Sequence, residues 1–383
     1  MYLIEFPNYT LEDFFDEMLT TRQGEAYNFL KGRLLAIKST LVEKEEEYIK
    51  LASPKNQGGL FDIVENIKIE IPKTKTLGEI INLPSKISKR ELIEFIKMKK
   101  IDPLFNNLEE MEVNEIKTFL NSINLNTVIK QLGDPNLIYY LSYVDAEAMK
   151  NAYEKYLVNT KGSSNIGRKV YGDIMSLSKD NLCPYCLQGI VKTVDHYLPK
   201  AYFIDYSITP INLLPCCSDC NKNKNDERTL QEDKMFINPY FDNIQNVRWL
   251  GCKVNEVWPI TFSYYVREDI GDVILKERLK IHFDKLELGF LYANKAVTYF
   301  RGRVKEIVKE YNSSNYLPPI DSLKNSKESI ENYNLNSWEA KIYEALLDSK
   351  WFLHTAIKEL ESKYDIPKEE KKFKRPLYEA YFG

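Results

Sequence analysis

No run of 18 apolar residues occurs in the 383-residue sequence, so a membrane-spanning helix is not expected. The N-terminal stretch MYLIEFPNYT lacks the basic segment and long apolar run of a secretion signal. Secreted disulfides are therefore a poor reading of the six cysteines. Reduced thiols in a cytoplasmic protein, several of them on a metal, fit better. A Walker phosphate loop is absent, as are internal repeats and low-complexity tracts. An excess of charge of one sign is missing too: 53 Lys and Arg stand against 56 Asp and Glu, a net of −3. Such a balance gives no global attraction to a polyanion, so any nucleic-acid site must be local.

What the sequence does contain falls into three parts, within a length that suits two or three ordinary domains. Residues 1–180 read as mostly helical. Thr10 and Asp13 form a capping box ahead of Leu11, Phe14, Phe15 and Leu19, and Ser88 with Glu91 caps a second helix. Helical periodicity also runs from Gly24 to Leu51, and residues 66–74 alternate like a short strand. Residues 181–240 differ in texture, being rich in Cys, Pro and Asn with little helical period. Residues 241–383 hold a strand-like patch, WPITFSYYV, and two long helical patterns separated by a loop expected over residues 312–329.

The middle part carries the chemistry. Cys183 and Cys186 form one Cys-x-x-Cys pair, Cys217 and Cys220 another, with thirty residues between them. Each such turn aims two thiolates at one ion, and two turns close a tetrahedral Zn²⁺ site with no open position, so the zinc is expected to be structural. Cys216 breaks the spacing to Cys220 and is left out, and the isolated Cys252 reads as a buried apolar residue.

Between the cysteine pairs run Asp195, His196 and Pro199, then Asn212 and Leu213, then Cys217, Cys220, Asn221 and Lys224. This order and spacing resemble the HNH, or ββα-metal, endonucleases over about 45 residues of the 383. The resemblance implies a mainly α-helical protein with a central zinc-stabilised ββα-metal module and a short β segment after it. More loosely, residues 236–244 and 275–296 resemble bacterial HNH proteins of anti-phage defence, among them the Septu nuclease subunit. That likeness implies a partner protein, such as a defence ATPase.

In the chemistry that this implies, the imidazole of His196 takes a proton from the attacking water. A Mg²⁺ or Mn²⁺ ion, held by oxygens of Asp195 and Asn221, supports the phosphate and the leaving oxygen. Asn212 takes the family's role of orienting the histidine and its surroundings. The family often has a second histidine where Asn221 stands, and its absence favours oxygen-preferring cations. Lys200, Lys222 and Lys224 are the local choices for meeting a phosphate. Residues 192–228 hold five basic and five acidic side chains, so grip on DNA should come partly from elsewhere, with residues 86–100 and 371–375 as the basic runs available. Solvated helix faces explain those runs slightly better. His282 and His354 read as packing residues within helices. The functional expectation is a DNA endonuclease, with two alternatives: a nuclease subunit active only with its partner ATPase, and a non-catalytic zinc-stabilised nucleic-acid-binding module.

Overall fold

The computed structural model describes residues 3–21, 31, 34–35, 38–52, 76–81, 83, 86–133, 146–159, 165–226 and 231–366. The strand expected over residues 66–74 and the basic run at 371–375 lie outside them. The chain is mainly helical, with two small antiparallel sheets among the described residues. None of the described helices is long and apolar enough to cross a membrane. Two compact units follow one another, Met1–Ile244 and Gln245–Gly383.

The first unit begins with α1 (Leu11–Thr20), whose capping box is formed as its sequence demands. The Asp13 carboxylate accepts from the Thr10 amide at 2.7 Å and from its hydroxyl at 2.8 Å. Leu11, Phe14, Phe15, Met18 and Leu19 bury the opposite face. Further helices are α2 (Lys38–Ala52), α3 (Leu77–Ile81), α4 (Lys89–Met98), α5 (Val113–Ser122), α6 (Leu125–Leu132), α7 (Ala146–Ala152) and α8 (Ile166–Ser176). A π-helical turn, Tyr153–Val158, extends α7. In α4 the expected Ser88–Glu91 box is present, with Glu91 accepting from the Ser88 amide at 2.9 Å. Much of α4's basic charge is already balanced, since Lys89 pairs with Glu112, Arg90 with Glu94 and Lys97 with Glu109. Three of the six basic residues in 86–100 are thus paired with acids, while Lys99 is buried.

The cysteine-bearing stretch folds onto these helices. Strands β1 (Thr193–His196) and β2 (Leu213–Cys216) pair antiparallel, with Asp195 opposite Leu214 and His196 opposite Leu213. Helix α9 (Ser218–Lys224) follows β2 directly. Val194, Ile208 and Leu213 join the same apolar core as Phe14, Phe95, Leu120 and Ile174. The hairpin and its helix are thus seated on the helical layer of their own unit by ordinary apolar burial.

The second unit is built around β3 (Leu250–Asn255) and β4 (Thr261–Val266), an antiparallel pair. Strand β4 is the patch expected from sequence, and β3 supplies its unforeseen partner. Helices α10 (Val273–Lys285), α11 (Leu288–Ser313), α12 (Ile320–Glu331), α13 (Trp338–Asp348) and α14 (Ile357–Lys363) complete it. The ring of Phe262 meets Phe300 at 5.5 Å, fixing the sheet to α11. The long helical patterns break where the backbone requires it, at Glu287 with φ 52° and again after Asp348. Two expectations are corrected here. The loop over residues 312–329 contains α12, which starts after Pro319 and places Asp321 in its first turn. His354 is not a packing residue: it is exposed on the π-helical turn Phe352–Ala356, while its neighbour Phe352 is buried. His282, in contrast, is buried within α10.

Candidate metal and catalytic site

The cysteine geometry follows from two tight turns. After Cys183 the chain reverses at Leu187, which has φ 56°, and the Cys183 amide donates to the Gly189 carbonyl at 2.7 Å. The Gly189 amide donates to Cys186 Sγ at 3.3 Å. A Cβ at position 189 would sit 2.6 Å from Cys217 Sγ, so only glycine fits against the second turn. That second turn is the start of α9, where Cys217 is the N-cap and its sulfur accepts from the Cys220 amide at 3.4 Å. Amide donors aimed at sulfur favour thiolates.

The four sulfurs of Cys183, Cys186, Cys217 and Cys220 lie within 4.8 Å of one another, and all four residues are buried. Cys186 and Cys217 are 3.9 Å apart. A tetrahedron with Zn–S bonds of about 2.3 Å has edges of about 3.8 Å, so these four cysteines can hold zinc. Cys216, excluded on spacing, is also buried, with its sulfur 3.9 Å from that of Cys183. Its carbonyl accepts from the Lys192 amide at 3.0 Å, fixing it into the hairpin beside the cluster.

Asp195 and His196 end β1. Asp195 is buried, and its Oδ2 takes two donors, the Tyr185 hydroxyl at 3.0 Å and the Lys224 ammonium at 3.1 Å. Burial pushes its carboxyl above the ordinary range, while Lys224 and Tyr185 pull the other way. His196 Nε2 lies 2.8 Å from the Ser207 carbonyl. A carbonyl only accepts, so Nε2 carries the hydrogen and the lone pair sits on Nδ1. Burial pushes the imidazole down to about 3, against the opposing pull of the Ser207 carbonyl, and Lys200 and Lys224 depress it further. The ring is therefore neutral throughout the physiological range. The Tyr153 ring packs edge-on against it at 4.5 Å.

The hydrogen bonds of the Asn212 side chain go to groups other than the imidazole. This side chain clamps the connecting segment: Oδ1 accepts from the Leu198 amide at 2.8 Å, and Nδ2 donates to the Leu198 and Tyr206 carbonyls at 3.0 and 3.2 Å. By fixing both ends of residues 198–206, it sets the position of the Ser207 carbonyl and hence of the ring. Asn221 has its amide oriented by elimination. The Thr193 hydroxyl spends its one proton on the Cys216 carbonyl at 3.1 Å, so at 3.0 Å it accepts from Asn221 Nδ2. The Asn221 oxygen is left for other partners.

Asp195, His196 and Asn221 line one cleft of about 460 Å³ together with Tyr153, Lys200 and Lys222. An oxygen pair and a neutral imidazole in one polar cleft suit a hard divalent cation with an adjacent proton acceptor. Lys200 stands over the Tyr153 ring at 4.7 Å, and burial draws its ammonium below the ordinary lysine value. Lys224 corrects an expectation. It is buried, and donates to the His196 carbonyl at 2.7 Å besides pairing with Asp195. It is an internal counter-ion, and no phosphate can reach it from solvent. Sequence reasoning missed Tyr153, Tyr185, Thr193 and Ser207. Tyr185, inside the first Cys-x-x-Cys turn, was the one with a positional hint.

The chain is 28% identical over 220 residues to Protein ea31 of Escherichia phage lambda, an alignment covering 52% of this chain and 72% of that protein. No protein-family profile matches the chain. No solved structure matches it either.

Proposed function

We propose that this protein is a metal-dependent HNH endonuclease that hydrolyses DNA phosphodiester bonds, with zinc holding its ββα element together. The observation that carries the reading is the His196 tautomer: Nε2 is committed to the Ser207 carbonyl, so Nδ1 keeps its lone pair on a residue that lines one cleft with Asp195 and Asn221. In this reading Nδ1 accepts the proton of the attacking water, its lone pair being available because Nε2 carries the ring's hydrogen. Asp195 and Asn221 supply oxygens for Mg²⁺ or Mn²⁺, which when bound stabilises charge on the phosphate and the leaving oxygen. Lys200 and Lys222 line the same cleft and place positive charge where a phosphate would enter. Cys183, Cys186, Cys217 and Cys220 take one Zn²⁺ that serves the fold.

A second reading has a specific observation in its favour. The α4 lysines and arginine are paired with acids, so this surface offers DNA little free charge. A nuclease subunit that receives DNA from a partner, such as the ATPase of an anti-phage system, would need no more. The assay that tests both is cleavage of plasmid and single-stranded DNA by the purified chain, with and without Mn²⁺. Mn²⁺-dependent cleavage by the chain alone is the expected result. If cleavage appears only when a co-purifying protein is added back, the subunit reading holds. A chain that cuts under neither condition returns the site to a zinc-stabilised binding module.

A further inference from the structure

Asp195 is gripped from two sides by the elements that carry the cysteines. Tyr185 lies within the Cys183–Cys186 turn, and its hydroxyl donates to Asp195 Oδ2 at 3.0 Å. Lys224 lies one helical turn beyond Cys220 on α9, and its ammonium reaches the same oxygen at 3.1 Å. The Lys224 ammonium also donates to the His196 carbonyl at 2.7 Å, so it spans both residues that end β1. Two donors on one oxygen fix the rotation of the carboxylate and leave the lone pairs of Oδ1 for the cleft that Asp195 lines. Free rotation would make either oxygen available only part of the time, at an entropic cost on binding.

We propose that Tyr185 and Lys224 are positioning residues that orient Asp195 for a divalent cation, linking the order of the zinc cluster to the affinity of the cleft for that cation. This rests on the reading of the cleft as a cation site. Both donors are rooted in the turns that the four cysteines close, so whatever tightens those turns also tightens the grip on Oδ2. Partners of this kind typically change metal affinity by about 10- to 100-fold when removed.

The test uses the full chain with its zinc in place and Mn²⁺ as the probe. Zinc content is measured by elemental analysis, Mn²⁺ binding by calorimetric titration, and cleavage as a function of Mn²⁺ concentration. Tyr185→Phe keeps the buried ring and removes only the donor. Its zinc content should match the parent, its melting temperature should fall only by the few degrees that one lost buried donor costs, and its Mn²⁺ affinity should fall about 10- to 100-fold. Its maximal cleavage rate should recover at saturating Mn²⁺, a split that a general loss of structure would not produce. Asp195→Ala should abolish the titration and serves as the reference. Parent-like Mn²⁺ affinity in Tyr185→Phe overturns the proposal while leaving the cation site intact. Loss of zinc from Tyr185→Phe also overturns it, because Tyr185 would then belong to the zinc turn alone. If the parent and Asp195→Ala titrate alike, the cation site itself fails and the positioning role falls with it.

Discussion

Replacing His196 separates its chemistry from its place in the fold, because its two nitrogens have different partners. Nε2 donates to the Ser207 carbonyl at 2.8 Å, while Nδ1 holds the lone pair assigned to the water proton. His196→Ala removes both functions. It leaves the Ser207 carbonyl with one donor fewer in a buried site, which costs about 1–3 kcal/mol. It also opens a void beside the Tyr153 ring, now packed edge-on at 4.5 Å, and adds to that cost. His196→Gln reaches the same carbonyl with its amide nitrogen, and should recover about 1 kcal/mol of the loss. Neither variant has a basic nitrogen at the Nδ1 position. Both should therefore lose cleavage by about 10²–10⁴-fold, the usual effect of removing a general base. The assay pairs single-turnover plasmid nicking in Mn²⁺ with urea unfolding followed by circular dichroism. The expected pattern is equal loss of activity and unequal loss of stability, with zinc content unchanged in both. Cleavage by His196→Gln within tenfold of the parent would refute the assignment of Nδ1 as the base.

Further outcomes follow from the same geometry. Cys217→Ser should lower zinc below one equivalent and destabilise the chain by several kcal/mol, since binding of a structural zinc contributes about 10–16 kcal/mol in small domains; Cys216→Ser should keep the full equivalent, and zinc loss there would bring Cys216 into the ligand set. Glu45 gives a pH test, because burial raises its carboxyl from the ordinary 4.5 to about 7, against the Leu11 amide that it accepts from at 2.6 Å. A raised folded pKa means that its contribution is fully present below 4.5 and is lost as pH rises through 7. Glu45→Gln, which keeps an acceptor for that amide, should therefore gain stability relative to the parent by up to about 3 kcal/mol between pH 4.5 and pH 7.5. A flat difference across that window, read from paired unfolding curves, would show that Glu45 is not held neutral. Lys200→Ala should weaken DNA binding and reduce its salt dependence by about one phosphate contact in a fluorescence-anisotropy titration over ionic strength.

Much of this arrangement was legible in the sequence because it is local. Capping boxes act over three residues, so Thr10–Asp13 and Ser88–Glu91 announced α1 and α4 without tertiary information. The cysteine pairs were equally readable, since a two-residue spacing by itself turns both sulfurs toward one point. What stayed hidden depends on contacts distant in sequence. Strand β3 exists because β4 pairs with it. Helix α12 buries only Leu323 among its own residues, so its polar sequence read as a loop. Tyr185 stood inside a cysteine turn, but the carboxylate that its hydroxyl meets lies ten residues away and is set by tertiary packing. Lys224 was readable and was misread. It follows Cys220 by four positions, so on a helix it lies on the inward face with that cysteine, whereas Lys222 lies on the cleft.

The burial of Lys224 changes the electrostatic logic of the site. Its charge is matched by Asp195, and the neighbouring imidazole is neutral, so the floor of the cleft carries almost no net charge. Lys200 and Lys222 add positive charge at the cleft, offset in part by Asp226 in the same lining. The paired charges on α4 provide no basic surface to compensate, and the whole chain is slightly acidic. Long-range steering of DNA to this cleft by the described residues is therefore weak. A divalent cation on Asp195 and Asn221 would add two positive charges at the point where a phosphate must sit, more than the rest of the cleft supplies. Substrate binding and cation binding should then be strongly cooperative: DNA affinity should rise with Mn²⁺ in the parent, and lose that dependence in Asp195→Ala.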